Sequence, residues 1–100
     1  MDEVVEALRN AWDAFSTPLR MREGFSPDRY QALRSRLEDC AAAWQGKECL
    51  PRVAVNILVD ILPSMEAGIH LYGDAQQEQI REATYSLQEL IWECVAVDVG

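Results

Sequence analysis

The residue types that most often carry out chemistry are scarce in this sequence. His70 is its only histidine, and Glu66 lies four positions earlier, so the two side chains could share one face of a helix. Carboxylate-bridged di-iron bundles place Glu-x-x-His motifs on two helices, and one histidine cannot supply both. We therefore predict no metal site, no cofactor and no enzymatic activity.

The cysteines do not suggest a reactive centre either. Cys40, Cys49 and Cys94 cannot all pair within one chain, and their spacing matches no zinc-binding pattern. Nothing in the sequence places any of them beside His70, as a Cys–His nucleophilic pair requires. We interpret them as reduced thiols of a cytoplasmic protein.

Composition narrows the class of protein further. The 100 residues are 49% hydrophobic, which is enough for one packed domain spanning residues 1–100. The net charge of −8 disfavours nucleic acid and anionic membranes as partners and fits either solubility or a basic protein partner. The acidic start Met1-Asp2-Glu3 does not resemble a secretory signal, and no apolar run is long enough to span a bilayer.

Apolar residues recur at spacings of three and four in several segments, which predicts helices. Pro18 predicts that the first helix ends or kinks near Ser16 or Thr17, and Pro63 predicts a kink or break in the third. The predicted helices cover about 2–19, 26–46, 51–72 and 74–97, and no strand is expected. The fold class is therefore an all-α four-helix bundle, mostly antiparallel, in which short loops make sequential helices neighbours.

Local signals mark several helix ends. Ser26 is a good N-cap, followed by Pro27 at a position where proline is tolerated, and Gly46 ends that helix. Asp74 and Gln77 have the spacing of a capping box, which predicts that Asp74 is the N-cap of the last helix.

Two helices carry more apolar residues than one bundle-facing stripe requires. Either an irregular bundle buries the surplus, or the surplus forms an interface with another protein, most simply in a symmetric homodimer. On the third helix, the surplus faces away from Val53, Ile57 and Ile61. The predicted interface residues are Tyr85, Trp92 and Val95, with Val99 beyond them, on the last helix and Val55, Val59 and Leu62 on the third.

The charged residues are polarised along the chain. An acidic ridge is formed by Glu78, Glu82, Glu89 and Glu93, and it is either a solvated face or a docking surface for a basic protein. Five arginines lie close together in the sequence, namely Arg20, Arg22, Arg29, Arg34 and Arg36. We expect them to pair with the acidic helix of the same or a neighbouring chain rather than to bind an anion or nucleic acid.

A polar seam interrupts the apolar third helix. Arg52, Asn56 and Asp60 recur every four residues, so they share one face. Because their helix is otherwise apolar, we predict that they are partly buried and form a structural network that fixes helix register. A binding-site lining and simple exposure are the alternatives.

Two functions follow as hypotheses. The first is a small acidic protein–protein interaction module. It could act as a homodimer, or as an antidote-type (immunity) protein that masks a basic toxin or nuclease. The alternative is a small-molecule-binding bundle with an aromatic-lined pocket built from Trp12, Trp44 and Tyr72.

Overall fold

A computed structural model describes residues 3–96 and consists of four α-helices. They are α1 (Glu3–Arg20), α2 (Pro27–Trp44), α3 (Arg52–Ile69) and α4 (Asp74–Val95). Within residues 3–96 there is no β-strand. The prediction of an all-α four-helix bundle is confirmed. The last helix ends at Val95, and Ala96 is already extended, so the helix stops short of the predicted end at about 97. The interface candidate Val99 lies outside the described residues.

The four helices occupy the corners of a square. α1 packs against α2 and α3, and α4 packs against the same two helices. The diagonal pairs α1/α4 and α2/α3 are not neighbours within the part of the chain that the structure describes. The expectation that all sequential helices are neighbours is therefore wrong for α2 and α3, because the link 45–51 crosses one end of the bundle diagonally.

Contacts between helix ends give the relative directions of the helices. Leu19, near the end of α1, lies against Gly68, near the end of α3, and a Cβ on Gly68 would lie 3.4 Å from its Cδ2. The Cys94 thiol, near the end of α4, lies 3.4 Å from the Leu37 carbonyl oxygen in the second half of α2. α1 and α3 therefore run parallel, as do α2 and α4, and the bundle is two antiparallel hairpins packed side by side.

The core lies between the helices and consists of aliphatic and aromatic side chains. It is formed by Val5, Leu8, Trp12, Phe15, Leu19, Leu33, Leu37, Cys40, Trp44, Ala54, Ile57, Leu58, Ile61, Met65, Ile80, Ala83, Leu87, Leu90, Ile91 and Cys94. Val53, which was expected to face the core with Ile57 and Ile61, is instead 49% exposed. Val53 precedes Ile57 by one turn, so it lies in the first turn of α3 and at the edge of the buried stripe.

The N-cap was predicted correctly for α2 and wrongly for α4. The Ser26 hydroxyl accepts a hydrogen bond from the Arg29 N–H at 3.3 Å, and Gly46 follows α2 with a φ of +77°. At α4 the N-cap is Gly73, so Asp74 is already helical and the predicted capping box does not form. Gln77 instead donates from Nε2 to the carbonyl oxygen of Tyr72 at 2.8 Å.

Both internal prolines are accommodated without ending a helix. α1 continues past Pro18 to Arg20, so the predicted end near Ser16 or Thr17 is wrong. A proline leaves the carbonyl four residues earlier without its helical donor, and here the Ala14 carbonyl accepts from Arg29 Nη1 at 3.3 Å. α3 is likewise unbroken at Pro63, which lies on its exposed side, where solvent can reach the carbonyl that the proline leaves unbonded.

One tyrosine joins the two hairpins at the end opposite the link 45–51. The Tyr72 hydroxyl donates to the Leu19 carbonyl at 2.7 Å and accepts from the Gly24 N–H at 3.1 Å. It therefore ties the α3–α4 turn to the end of α1 and to the α1–α2 loop.

Within residues 3–96, none of the helices combines the length and the apolar character needed to cross a bilayer.

Candidate protein interaction site

Most of the predicted interface residues are exposed on this chain. Five of the six are well exposed: Tyr85 (63%), Trp92 (60%), Val95 (46%), Val55 (40%) and Val59 (64%). Leu62 is half-buried and packs against the core. The alternative in which an irregular bundle buries the whole surplus is therefore wrong.

The three α3 residues lie on the side of α3 that faces α4. Successive residues of a helix are rotated by ~100°, so Val55, Val59 and Leu62 fall on one flank of the buried stripe. Gly68 lies towards the other flank, where it contacts Leu19 of α1. Since α3 has only α1 and α4 as neighbours, the Val55 flank is directed towards α4 and the outer surface beside it.

The three α4 residues lie on the side of α4 that faces α3. Cys94 contacts Leu37 of α2, and Glu93 lines a cleft shared with the end of α2, so that flank of α4 faces α2. By the same ~100° rotation, Tyr85, Trp92 and Val95 fall on the opposite flank, although Val95, at the last turn of α4, also lines that cleft. The two sets therefore share the outer surface of the α3–α4 hairpin. We call Val55, Val59, Leu62, Tyr85, Trp92 and Val95 the hairpin face.

The hairpin face is elongated along the helices. Because α3 and α4 are antiparallel, the first half of α3 lies beside the second half of α4, and Val55 and Val59 lie level with the segment from Tyr85 to Trp92. From Tyr85 to Val95 the rise along α4 is roughly 15 Å, or about three turns. Arg81 and Gln88 share this flank of α4 but were missed in the sequence, because a search for apolar periodicity passes over polar residues.

The acidic ridge follows the outer edge of the hairpin face along α4. All four glutamates are exposed. Glu78 forms an ion pair with Arg81, with 3.3 Å between the carboxylate oxygen Oε2 and Nη1. Glu82, Glu89 and Glu93 have no ion-pair partner among residues 3–96. The ridge therefore keeps most of its negative charge unneutralised.

The polar seam lies along the opposite edge of the face. Arg52, Asn56 and Asp60 are all exposed, and no side-chain hydrogen bond or ion pair joins them to other described residues. The predicted buried network is therefore wrong within the chain. These residues project away from the buried Ile57, Leu58 and Ile61, on the outer surface of α3, which leaves the seam beside Val55 and Val59.

The arginine cluster does not pair with the acidic ridge. Arg36 forms an ion pair with Asp39 on its own helix, at 3.5 Å, and Arg29 binds the Ala14 carbonyl. The Nε of Arg34 is buried without a hydrogen-bond partner among the described residues. Arg29 thus joins α2 to α1, and none of the five arginines forms an ion pair with the acidic ridge among residues 3–96.

The aromatic pocket of the alternative hypothesis is not assembled. Trp12 is buried and packs against Phe15, with ring centroids 6.3 Å apart, while the Tyr72 hydroxyl is bound to backbone groups. Trp44 is also buried, and it lines an open cleft of about 840 Å³ between the ends of α2 and α4. Neither Trp12 nor Tyr72 lines that cleft, so the three aromatic residues do not share it.

The side chains that could bind a metal ion or act as nucleophiles are dispersed. His70 and Glu66 are exposed near the end of α3, and the described residues contain no cluster of three metal-ligating side chains. Burial raises the pKa of the Cys94 thiol to about 11, and the charge of Glu93 adds to this shift. That thiol is therefore protonated at neutral pH and is a weak nucleophile.

Compared with known proteins, the chain matches no family model, no curated protein and no solved structure.

Proposed function

We propose that this chain is a small acidic protein–protein interaction module that binds its partner through the hairpin face. The observation that carries the proposal is the exposure of five large apolar side chains on the outer surface of one helical hairpin. Contiguous apolar surface of this kind usually marks an interaction site.

The two aromatic residues supply most of the expected binding energy. Tyr85 and Trp92 each keep about three-fifths of their surface in water. Burying that remainder is worth on the order of 2–3 kcal/mol for each side chain. Tryptophan and tyrosine are the residue types that dominate binding energy at protein interfaces. The polar residues at both edges, the acidic ridge and the polar seam, fit the polar rim of such an interface.

Two kinds of partner fit this description. One is a second copy of the chain, which would bury the hairpin face in a symmetric homodimer. The other is a basic protein drawn to the acidic ridge, as in an antidote-type protein that masks a toxin or nuclease. The proposal includes a cytoplasmic location, because a reducing compartment preserves free thiols such as Cys49 and Cys94.

Site-specific photo-crosslinking in the cells that produce the protein tests the proposal. A photoreactive amino acid would replace Trp92 or Val59 on the hairpin face, or the exposed control residue Gln31 on α2. We expect discrete covalent adducts from positions 92 and 59 and none from position 31. Circular dichroism of each variant checks that the helices are intact.

The masses of the adducts distinguish the two kinds of partner. An adduct of about twice 11.3 kDa identifies a homodimer, and any other discrete mass identifies a different protein. Absence of adducts at positions 92 and 59, or an identical pattern at position 31, would refute the proposal.

A further inference from the structure

We infer that the hairpin face receives an amphipathic helix of another protein, whose apolar stripe is bordered by lysine or arginine on the side that meets α4. This inference rests on the proposed function and specifies the partner's chemistry.

The charge around the hairpin face is asymmetric. Along α4 it is bordered by four glutamates, of which only Glu78 has an ion-pair partner among residues 3–96. Along α3 it is bordered by Arg52, Asn56 and Asp60, which carry no net charge, and one exposed acid, Glu66, lies a turn beyond Leu62. A partner gains charge complementarity only if its basic residues lie over α4, so one basic flank is expected rather than two.

The dimensions of the face fit a helix. Its apolar residues form two rows on adjacent antiparallel helices, and a helix laid between the rows would contact both of them. A face of roughly 15 Å corresponds to about three turns, or some ten to twelve residues of the partner. Its apolar anchors are expected at positions i, i+3 or i+4, and i+7, as in other helix-in-groove complexes.

A second copy of the chain would leave most of the negative charge of the acidic ridge unneutralised. In a face-to-face dimer, the acidic ridge meets either the partner copy's ridge or its polar seam. The first arrangement opposes like charges. The second offers one base, Arg52, accompanied by one acid, Asp60. Neither neutralises Glu82, Glu89 and Glu93, whereas a row of lysines does.

Synthetic peptides test this inference on the full chain. The first peptide is an 18-residue helix with a leucine stripe and lysines along one flank. The second has glutamate in place of each lysine, and the third is a scrambled form of the first. We expect isothermal titration to give at least tenfold tighter binding for the lysine peptide than for the other two, with affinity falling as salt is added.

Matched variants separate specific docking from general attraction to an acidic protein. Neutralising the acidic ridge by Glu78→Gln, Glu82→Gln, Glu89→Gln and Glu93→Gln should weaken lysine-peptide binding at least tenfold. The control neutralises four exposed acids of α1 and α2 by Glu3→Gln, Glu6→Gln, Asp13→Asn and Glu38→Gln, and should weaken it less than threefold. Trp92→Ser should weaken binding without changing the salt dependence.

Each other outcome overturns the inference in an identifiable way. If the lysine and glutamate peptides bind equally, or if the two fourfold variants weaken binding equally, the partner has no basic flank, but the hairpin face stays a docking site. If no peptide binds at up to about 1 mM and light scattering gives twice 11.3 kDa, the partner is a second copy, and the proposed function stands. If peptides, self-association and photo-crosslinking all fail, the proposed function fails as well.

Discussion

The hydroxyl of Tyr72 offers the sharpest test of how the two hairpins are held together. It donates to the Leu19 carbonyl at 2.7 Å and accepts from the Gly24 N–H at 3.1 Å. Tyr72→Phe removes both hydrogen bonds and keeps the aromatic ring that packs against the core. The substitution therefore isolates the contribution of one oxygen atom.

The expected loss of stability follows from these two bonds. A hydrogen bond contributes about 1 kcal/mol net, and more when its former partner is left without solvent. Gly24 is half-buried, so its N–H is only partly hydrated after the change. We expect the free energy of unfolding to fall by about 2 kcal/mol, which lowers Tm by roughly 10 °C in a domain of this size.

Urea denaturation followed by circular dichroism measures the loss, and amide hydrogen exchange at Gly24 reports the loop. The matched control is Tyr85→Phe, because the Tyr85 side chain is exposed and its hydroxyl has no hydrogen-bond partner among the described residues. We expect the control to change stability by less than about 0.5 kcal/mol. If Tyr72→Phe costs no more than Tyr85→Phe and Gly24 exchange is unchanged, the tyrosine does not join the hairpins.

Three further results are expected. The Ser16 hydroxyl is buried without a partner among residues 3–96, so Ser16→Ala should raise the free energy of unfolding by up to about 1 kcal/mol in urea denaturation, and a destabilised variant would show that the hydroxyl is satisfied. Neutralising the acidic ridge removes two like-charge pairs spaced at four and also the Glu78–Arg81 ion pair, which offsets part of the gain. The fourfold glutamine variant should therefore gain up to about 0.5 kcal/mol at low salt and lose that gain at high salt; a gain that persists in salt would contradict the electrostatic explanation. Iodoacetamide at pH 8 should label Cys49, which is exposed, while Cys94 should react only as the pH approaches its raised pKa of about 11, and mass spectrometry that finds both labelled equally at pH 8 would contradict this.

Periodicity predicted the helices and the exposed apolar residues for a shared reason. A helix in a four-helix bundle buries one stripe, so a second stripe on the same helix must point elsewhere. Tyr85 and Trp92 are one heptad apart and well away from the buried Ile80, Leu87 and Ile91, and that spacing was visible in the sequence. The observation that the α3 and α4 sets share one face was not visible, because it depends on which helices are neighbours.

The errors arose where tertiary contacts override local preference. Pro18 was expected to end or kink α1, but α1 continues to Arg20, and Arg29 of a different helix supplies a donor to the Ala14 carbonyl. The polar seam was expected to be buried because α3 is rich in apolar residues. α3 instead occupies a corner of the bundle with only two neighbours, so one of its sides remains in solvent. The link 45–51 carries no sequence signal that would place α2 and α3 on a diagonal.

The pairing of the hairpins also determines where the two halves of the molecule are joined to each other. The chain crosses between them once, through residues 45–51, and at the far end the joining contacts include the Tyr72 hydroxyl and the packing of Leu19 on Gly68. The two hairpins are thus joined covalently at one end and only by non-covalent contacts at the other. Separating the hairpins would break the α1/α3 and α2/α4 packing, whereas the α1/α2 and α3/α4 pairings lie within each hairpin. The hairpin face lies entirely on the α3–α4 hairpin, so a partner bound there would contact one hairpin and would not bridge the two.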